Sequence, residues 1–164
     1  RLTFFYDGNV LPFSNQEFDS VITNQVFEHV FNPDKFLSEI NRVLKVGGLL
    51  LISVPFVWDE HEQPNDYARY SSFGLKFALE KSFFVVIESR KSVTNLGVIF
   101  QLLNSYIYNK TLTSNKYINL LSTLCLMAPV NILGSLMAKL LPNNNDLYLD
   151  NIVLAKKVPP PSTQ

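Results

Sequence analysis

Residues 18–23, Phe18-Asp19-Ser20-Val21-Ile22-Thr23, residues 32–44, Asn32-Pro33-Asp34-Lys35-Phe36-Leu37-Ser38-Glu39-Ile40-Asn41-Arg42-Val43-Leu44, and residues 49–54, Leu49-Leu50-Leu51-Ile52-Ser53-Val54, decide the fold. The first stretch is β-branched and bounded by polar residues, which predicts an internal strand covered on both faces. In the second, Asn32 suits a helix N-cap, and Pro33 suits the first helical position, where its missing N–H would have had no partner. Phe36, Leu37, Ile40, Val43 and Leu44 recur on one helical face, and Gly47-Gly48 reads as the stop. The third stretch is apolar or small throughout, too short for a helix, and ends at Pro55 as a central parallel strand would. Parallel neighbours need a helix to bring the chain back to the same edge, so strand, helix, strand implies a crossover in an α/β sheet.

Outward from this unit, Leu2–Tyr6 reads as a buried strand ending at the Asp7-Gly8 turn, and Leu11-Pro12-Phe13-Ser14-Asn15 as loop. After a polar and aromatic stretch from Phe56 to Tyr70, Ser71 or Ser72 caps a helix to about Lys81, and Phe83–Glu88 forms another strand. Helical stretches broken at Pro129 and Pro142 fill residues 95–141, and Leu149–Lys156 closes with a strand of alternating burial. One domain, residues 1–157 with a helical insertion at 96–142, is expected, followed by a disordered tail at 158–164.

A hydrophobic share of 47% and an aromatic share of 13% can fill a substantial core. Fourteen basic residues balance fourteen acidic ones, so no net field draws the chain to nucleic acid. Cys125 is the single cysteine, expected to be a reduced, buried thiol in a reducing, cytoplasmic compartment. The chain opens at Arg1 in what reads as mid-strand, which is read as a fragment of a longer protein.

Leu11-Pro12-Phe13, Phe18-Asp19-Ser20-Val21, Glu28-His29-Val30 and Arg42-Val43-Leu44-Lys45-Val46-Gly47-Gly48 follow one another in an order and spacing that resembles class I S-adenosylmethionine-dependent methyltransferases of the type 11 branch. Val46 stands where that family has proline. His61-Glu62-Gln63-Pro64-Asn65-Asp66-Tyr67 with Arg69-Tyr70-Ser71 is similar to a subgroup whose loop after the fifth strand reads HE-P-D-RY, with Ser82-Phe83 where that group has Gly-Phe. The resemblance covers residues 2–91 and, more faintly, 149–157.

It implies a partial Rossmann-like, doubly wound sheet carrying strands 3 to 7 of the order 3-2-1-4-5-7-6, the last strand antiparallel. The ligand is expected in the crevice at the strands' carboxyl ends. The resemblance further implies S-adenosylmethionine as cofactor, with Asp7 and Gly8 at its adenine and Asn24, Gln25 and Val26, which leave the fourth strand, at its methionine and sulfonium. The family's Gly-x-Gly loop after the first strand has no counterpart here, so the isolated chain is expected to bind the cofactor poorly.

Substrate chemistry is expected in the loop after the fifth strand, with His61 as candidate base and His29, Trp58, Tyr67, Arg69 and Tyr70 toward the acceptor. His29, among apolar neighbours, equally suits a satisfied core imidazole. Asp66 and Arg69 read first as an ion pair that pins the loop, and Asp19 as structural. His61-Glu62 lacks the second histidine of a zinc HExxH motif, since Asn65 stands there, so no metal is expected.

Residues 117–138 carry no charge, yet Asn119, Ser122, Asn131, Pro129 and Gly134 interrupt the run. It reads as a soluble or surface-associating lid rather than a true span, with peripheral membrane contact through 117–141. The expected function is O- or N-methylation of a small-molecule or lipid-like acceptor. The alternatives are a non-catalytic binding or scaffold module of the same fold and, more distantly, a nicotinamide-dependent α/β enzyme.

Overall fold

In the computed structural model, which describes Phe4 and residues 10–160, the strand, helix, strand reading holds. Strand β1 (Phe18–Asn24) leads through a short 3-10 turn (Phe27–His29) to helix α1 (Pro33–Val43) and strand β2 (Leu44–Pro55). The two strands are parallel, with register pairs running from Ser20 opposite Leu49 to Asn24 opposite Ser53. Asn32 Oδ1 accepts from Lys35 N at 3.2 Å, and Pro33 occupies the first turn of α1.

The glycine pair does not stop the helix. α1 ends at Val43, Leu44 is already extended at φ −76°, ψ 140°, and β2 runs through Gly47-Gly48. The register jumps there, from Phe18 opposite Leu44 to Ser20 opposite Leu49, so the glycines form a kink inside the strand. Gly47 sits at φ +81°, and a Cβ on Gly48 would lie 2.9 Å from the Lys45 carbonyl and 3.1 Å from that of Asp19.

Helix α2 (Ser72–Lys81), capped by Ser71 Oγ accepting from Gly74 N at 3.1 Å, precedes strand β3 (Phe84–Lys91), and strand β4 (Asp150–Lys157) comes last. The sheet order is β1-β2-β4-β3, with β4 antiparallel to β2. Counting β1 as the fourth strand, this is the 4-5-7-6 half of the expected order. The expected third strand, Leu2–Tyr6, lies outside the described residues apart from Phe4.

Leu50, Ile52 and Val54 of β2 and Val153 and Ala155 of β4 are buried together with Phe36, Leu37 and Ile40 of α1 and Leu75 and Leu79 of α2. Among the described residues one face of β1 is uncovered, with Ile22 72% exposed, where the sequence reading expected cover on both faces. Among the described residues β1 pairs only with β2.

Two long cations fasten this unit. Arg42 holds Glu39 through Nε at 2.9 Å and Nη2 at 2.8 Å, and donates to the carbonyls of Leu11 and Phe13 and to Asn15 Oδ1. Glu39 Oε2 in turn accepts from Leu11 N at 2.8 Å, so the loop before β1 is clamped to α1. Lys157 is buried, donates Nζ to the carbonyls of Asn41 and Leu44, and is held below the usual lysine range by burial.

Val57–Asp59 with Lys91–Leu149 form a second compact unit. It contains helix α3 (Leu96–Thr111) and one continuous helix over Lys116–Leu140, made of α4 (Lys116–Ser122), a π turn (Thr123–Met127) and α5 (Ala128–Leu140). Pro129 was expected to break this helix. It sits instead in the first turn of α5, directly after the π turn, a position that tolerates proline. The end before Pro142 is as expected, with α5 stopping at Leu140 and Leu141 extended.

Asn104 Nδ2 donates to Asn131 Oδ1 at 2.6 Å, joining α3 to α5. Cys125 is exposed rather than buried, because it lies on a helix that is long and apolar enough to cross a membrane yet is almost entirely uncovered.

Candidate functional site

At their carboxyl ends β1 and β2 open a cleft of about 250 Å³, lined by Ile22, Thr23, Asn24, Gln25, Leu51, Ser53, Asp150 and Ile152. Its polar end is ordered by side chains from three strands. Ser53 Oγ donates to Asn24 Oδ1 at 2.5 Å, and Gln25 Nε2 lies 3.4 Å from Ser53 Oγ and 3.2 Å from Asp150 Oδ1. Gln25 leaves the strand at φ +52°, with its N–H donated to the Ser53 carbonyl at 3.0 Å. Thr23 Oγ1 is buried without a hydrogen-bond partner. Amide and hydroxyl groups of this kind both donate and accept, as recognition of a polar, zwitterionic ligand requires.

The second cluster is built from the 3-10 turn after β1 and the loop after β2. Tyr67 N and Ala68 N donate to the Glu28 carbonyl at 2.9 and 3.2 Å, which ties the two segments together. Glu28 is fully buried, and neither carboxylate oxygen has a hydrogen-bond partner of ordinary geometry. Burial pushes its carboxyl above the usual range, against the pull of its own amide N–H and of His29, His61 and Arg69.

His29 Nε2 and His61 Nε2 lie 3.8 and 3.9 Å from Glu28 Oε1, and the two rings meet edge to face with centroids 4.8 Å apart. Arg69 grips Asp66 with two parallel bonds of 2.5 and 2.7 Å, and Asp66 Oδ2 accepts from His61 N at 3.0 Å. The Arg69 guanidinium holds the Asp66 carboxyl well below the usual carboxylate range.

The expected site residues divide accordingly. Asn24 and Gln25 line the cleft, with Val26 next in the chain and 42% exposed. His61 is not among the cleft residues and stands with Glu28 and His29. Arg69 orders the His61 loop, the pinning role first read for it. Tyr70 stacks on buried Phe27 at 4.7 Å, while Tyr67 is exposed, with its ring against Phe31 and its hydroxyl donating to Asn65. Trp58 belongs to the helical unit with Asp59, whose Oδ2 accepts from Ser105 and Asn109. Asp7 and Gly8 lie outside the described residues.

Ser53 and Asp150 were missed as site residues. The signal lay in strand ends, since Ser53 is the one polar residue in its apolar run and Asp150 opens the last strand. Asp19 pairs with Lys45 at 2.8 Å on the exposed surface.

The sequence model of the methyltransferase domain family matches residues 5–52. Over this stretch the chain is similar to the methyltransferase domain family. An uncharacterized protein of Methanocaldococcus jannaschii is 45% identical over 47 residues, 29% of this chain and 23% of that protein. A probable S-adenosylmethionine-dependent methyltransferase of Mycolicibacterium smegmatis is 42% identical over 50 residues, 29% and 20%.

Among solved structures, the cyclase SpnF superposes with a TM-score of 0.54 at 18% identity, over 93% of this chain and 54% of that one. Phosphoethanolamine N-methyltransferase 2 of Haemonchus contortus, with phosphomonomethylethanolamine and S-adenosylhomocysteine bound, gives 0.53 at 18% identity, over 90% and 35%. The chain thus spans less than a quarter of those curated relatives and about half or less of these two structures. At this identity the superpositions establish the class I methyltransferase fold.

Proposed function

We propose that the protein formed by these residues methylates an oxygen or nitrogen of a small-molecule or lipid-like acceptor in the cytoplasm, using S-adenosylmethionine. The observation that carries this reading is the parallel pair β1 and β2, whose carboxyl ends bring Asn24, Gln25 and Ser53 into one cleft, as ligand sites of doubly wound sheets are formed. When bound, the cofactor supplies an electrophilic methyl group on a sulfonium. Asn24, Gln25 and the buried Thr23 hydroxyl fit its polar methionine end, with Asp7 and Gly8 assigned to the adenine by the family pattern.

The residues of the chain position and move a proton. His61, whose amide is fixed by Asp66, takes the acceptor's proton at a ring nitrogen, and His29, Tyr67 and Arg69 orient the acceptor. The Haemonchus contortus enzyme, holding a phosphorylated amino alcohol, supports an acceptor of that class. The uncovered apolar helix Lys116–Leu140 supports a lipid-like acceptor met at a membrane surface, in peripheral contact.

The family's Gly-x-Gly loop has no counterpart in these 164 residues, which are therefore expected to bind the cofactor weakly by themselves. The test supplies the full-length protein with methyl-labelled cofactor and either phosphoethanolamine or vesicles of phosphatidylethanolamine. Label in an acceptor, with release of S-adenosylhomocysteine, is the expected result. Cofactor binding without transfer to amines or hydroxyls would leave a binding module.

A further inference from the structure

We propose that Glu28, His29 and His61 hold one divalent transition-metal ion of the zinc class, through a Glu28 carboxylate oxygen and the Nε2 atoms of both histidines. One ligand atom from each residue lies within 4.8 Å of the others. A tetrahedral ion with bonds of about 2.0–2.2 Å places its ligands roughly 3.3 Å apart, so sub-ångström to one-ångström shifts close the site. Two imidazoles and a carboxylate are the donor set of open zinc and non-haem iron centres, which keep positions for water or substrate.

A second, independent observation comes from Glu28 itself. Its side chain is fully buried, neither oxygen has a hydrogen-bond partner of ordinary geometry, and the Nε2 atoms of His29 and His61 lie 3.8 and 3.9 Å from Oε1. An ionised carboxylate buried in this way is costly unless a proton or a cation compensates it. A bound cation does so and uses the same two rings.

The outer shell is already arranged. The Asn65 carbonyl lies 2.7 Å from His29 Nδ1 and accepts only, so that nitrogen carries the hydrogen and Nε2 carries the lone pair toward Glu28. Behind His61, Asp66 Oδ2 and the donor-only Arg69 Nη2 both lie 3.5 Å from Nδ1, so the tautomer there is not fixed by Asp66 alone. A carbonyl and a carboxylate behind metal-binding imidazoles are the usual orienting partners. Arg69 approaches His61 from the Nδ1 side, at 3.5 Å, with its charge matched by Asp66. HExxH spacing could not reveal the site because the two histidines come from separate segments, 32 residues apart in the chain.

A metal on His61 Nε2 would occupy the nitrogen that otherwise takes the acceptor's proton, so the test reads metal binding directly and not methyl transfer. Protein stripped with chelator is titrated with Co2+, followed by visible absorption, and then with Zn2+, followed by calorimetry. The expected result is one saturable site with Co2+ absorption bands that Zn2+ abolishes. His29→Gln and His61→Gln, both at partly exposed residues and checked for native circular dichroism, lower the affinity by at least about 10–100-fold, and Asp66→Asn by about 10–100-fold. Absence of saturable binding in the parent chain, or unchanged affinity in both histidine variants, overturns the proposal.

Discussion

Gln25 Nε2 reaches Asp150 Oδ1 across 3.2 Å, joining the residue after β1 to the first residue of β4, 125 positions away in the chain. With the Gln25 backbone N–H on the Ser53 carbonyl, this contact draws the ends of three strands to the rim of one cleft. Gln25→Ala should therefore change stability by no more than about 1 kcal/mol, the net value of a part-buried neutral hydrogen bond. Its main effect should be on ligand binding. In the full-length protein the expected outcome is about a tenfold rise in the Kd for S-adenosylhomocysteine by calorimetry, with the urea midpoint nearly unchanged.

Glu39→Gln tests the clamp on the loop before β1. Arg42 hydrogen bonds hold the Glu39 carboxyl below its ordinary value of 4.5, and its side chain is only 13% exposed. A carboxyl with a lowered folded pKa contributes stability that is present above the ordinary value and lost as pH falls through the folded one. The variant should lose about 1.5–3 kcal/mol near pH 7, with the gap to the parent narrowing as the pH falls below the ordinary carboxyl value, as read from urea unfolding across that range.

The clamp also explains what was legible in the sequence. In this chain Arg42 binds the carbonyls of Leu11 and Phe13, a contact that spacing alone does not display. The parallel crossover was readable because the Asn32-Pro33 cap and the one-face run from Phe36 to Val43 express local rules. Two features were not readable. The helix stop was assigned to Gly47-Gly48, whereas the glycines serve a strand kink that depends on the neighbouring Asp19 carbonyl. The Glu28, His29 and His61 cluster depends on the tertiary contact between a turn and a loop, which no periodicity encodes.

Gly48→Ala follows from that kink. Its methyl group would press on two backbone carbonyls that have no side-chain freedom to move away. A loss of about 1–3 kcal/mol is expected by chemical denaturation, the typical range for overpacking, and Gly74→Ala, in a helix, should not share it.

The helix Lys116–Leu140 exposes Leu121 and Leu124 at 62% and 59%. If its apolar surface meets a membrane, the full-length protein should float with liposomes, and Leu121→Lys with Leu124→Lys should leave it in the dense fractions. Equal flotation of parent and variant would remove the membrane from the account.

The most direct measurement is the amide NMR spectrum of the full-length protein titrated with S-adenosylhomocysteine. The largest shifts are expected at Asn24, Gln25 and Ser53, at the carboxyl ends of the two parallel strands. Saturable binding that leaves these three amides unmoved would contradict the placement of the cofactor in that cleft, and with it the proposed function.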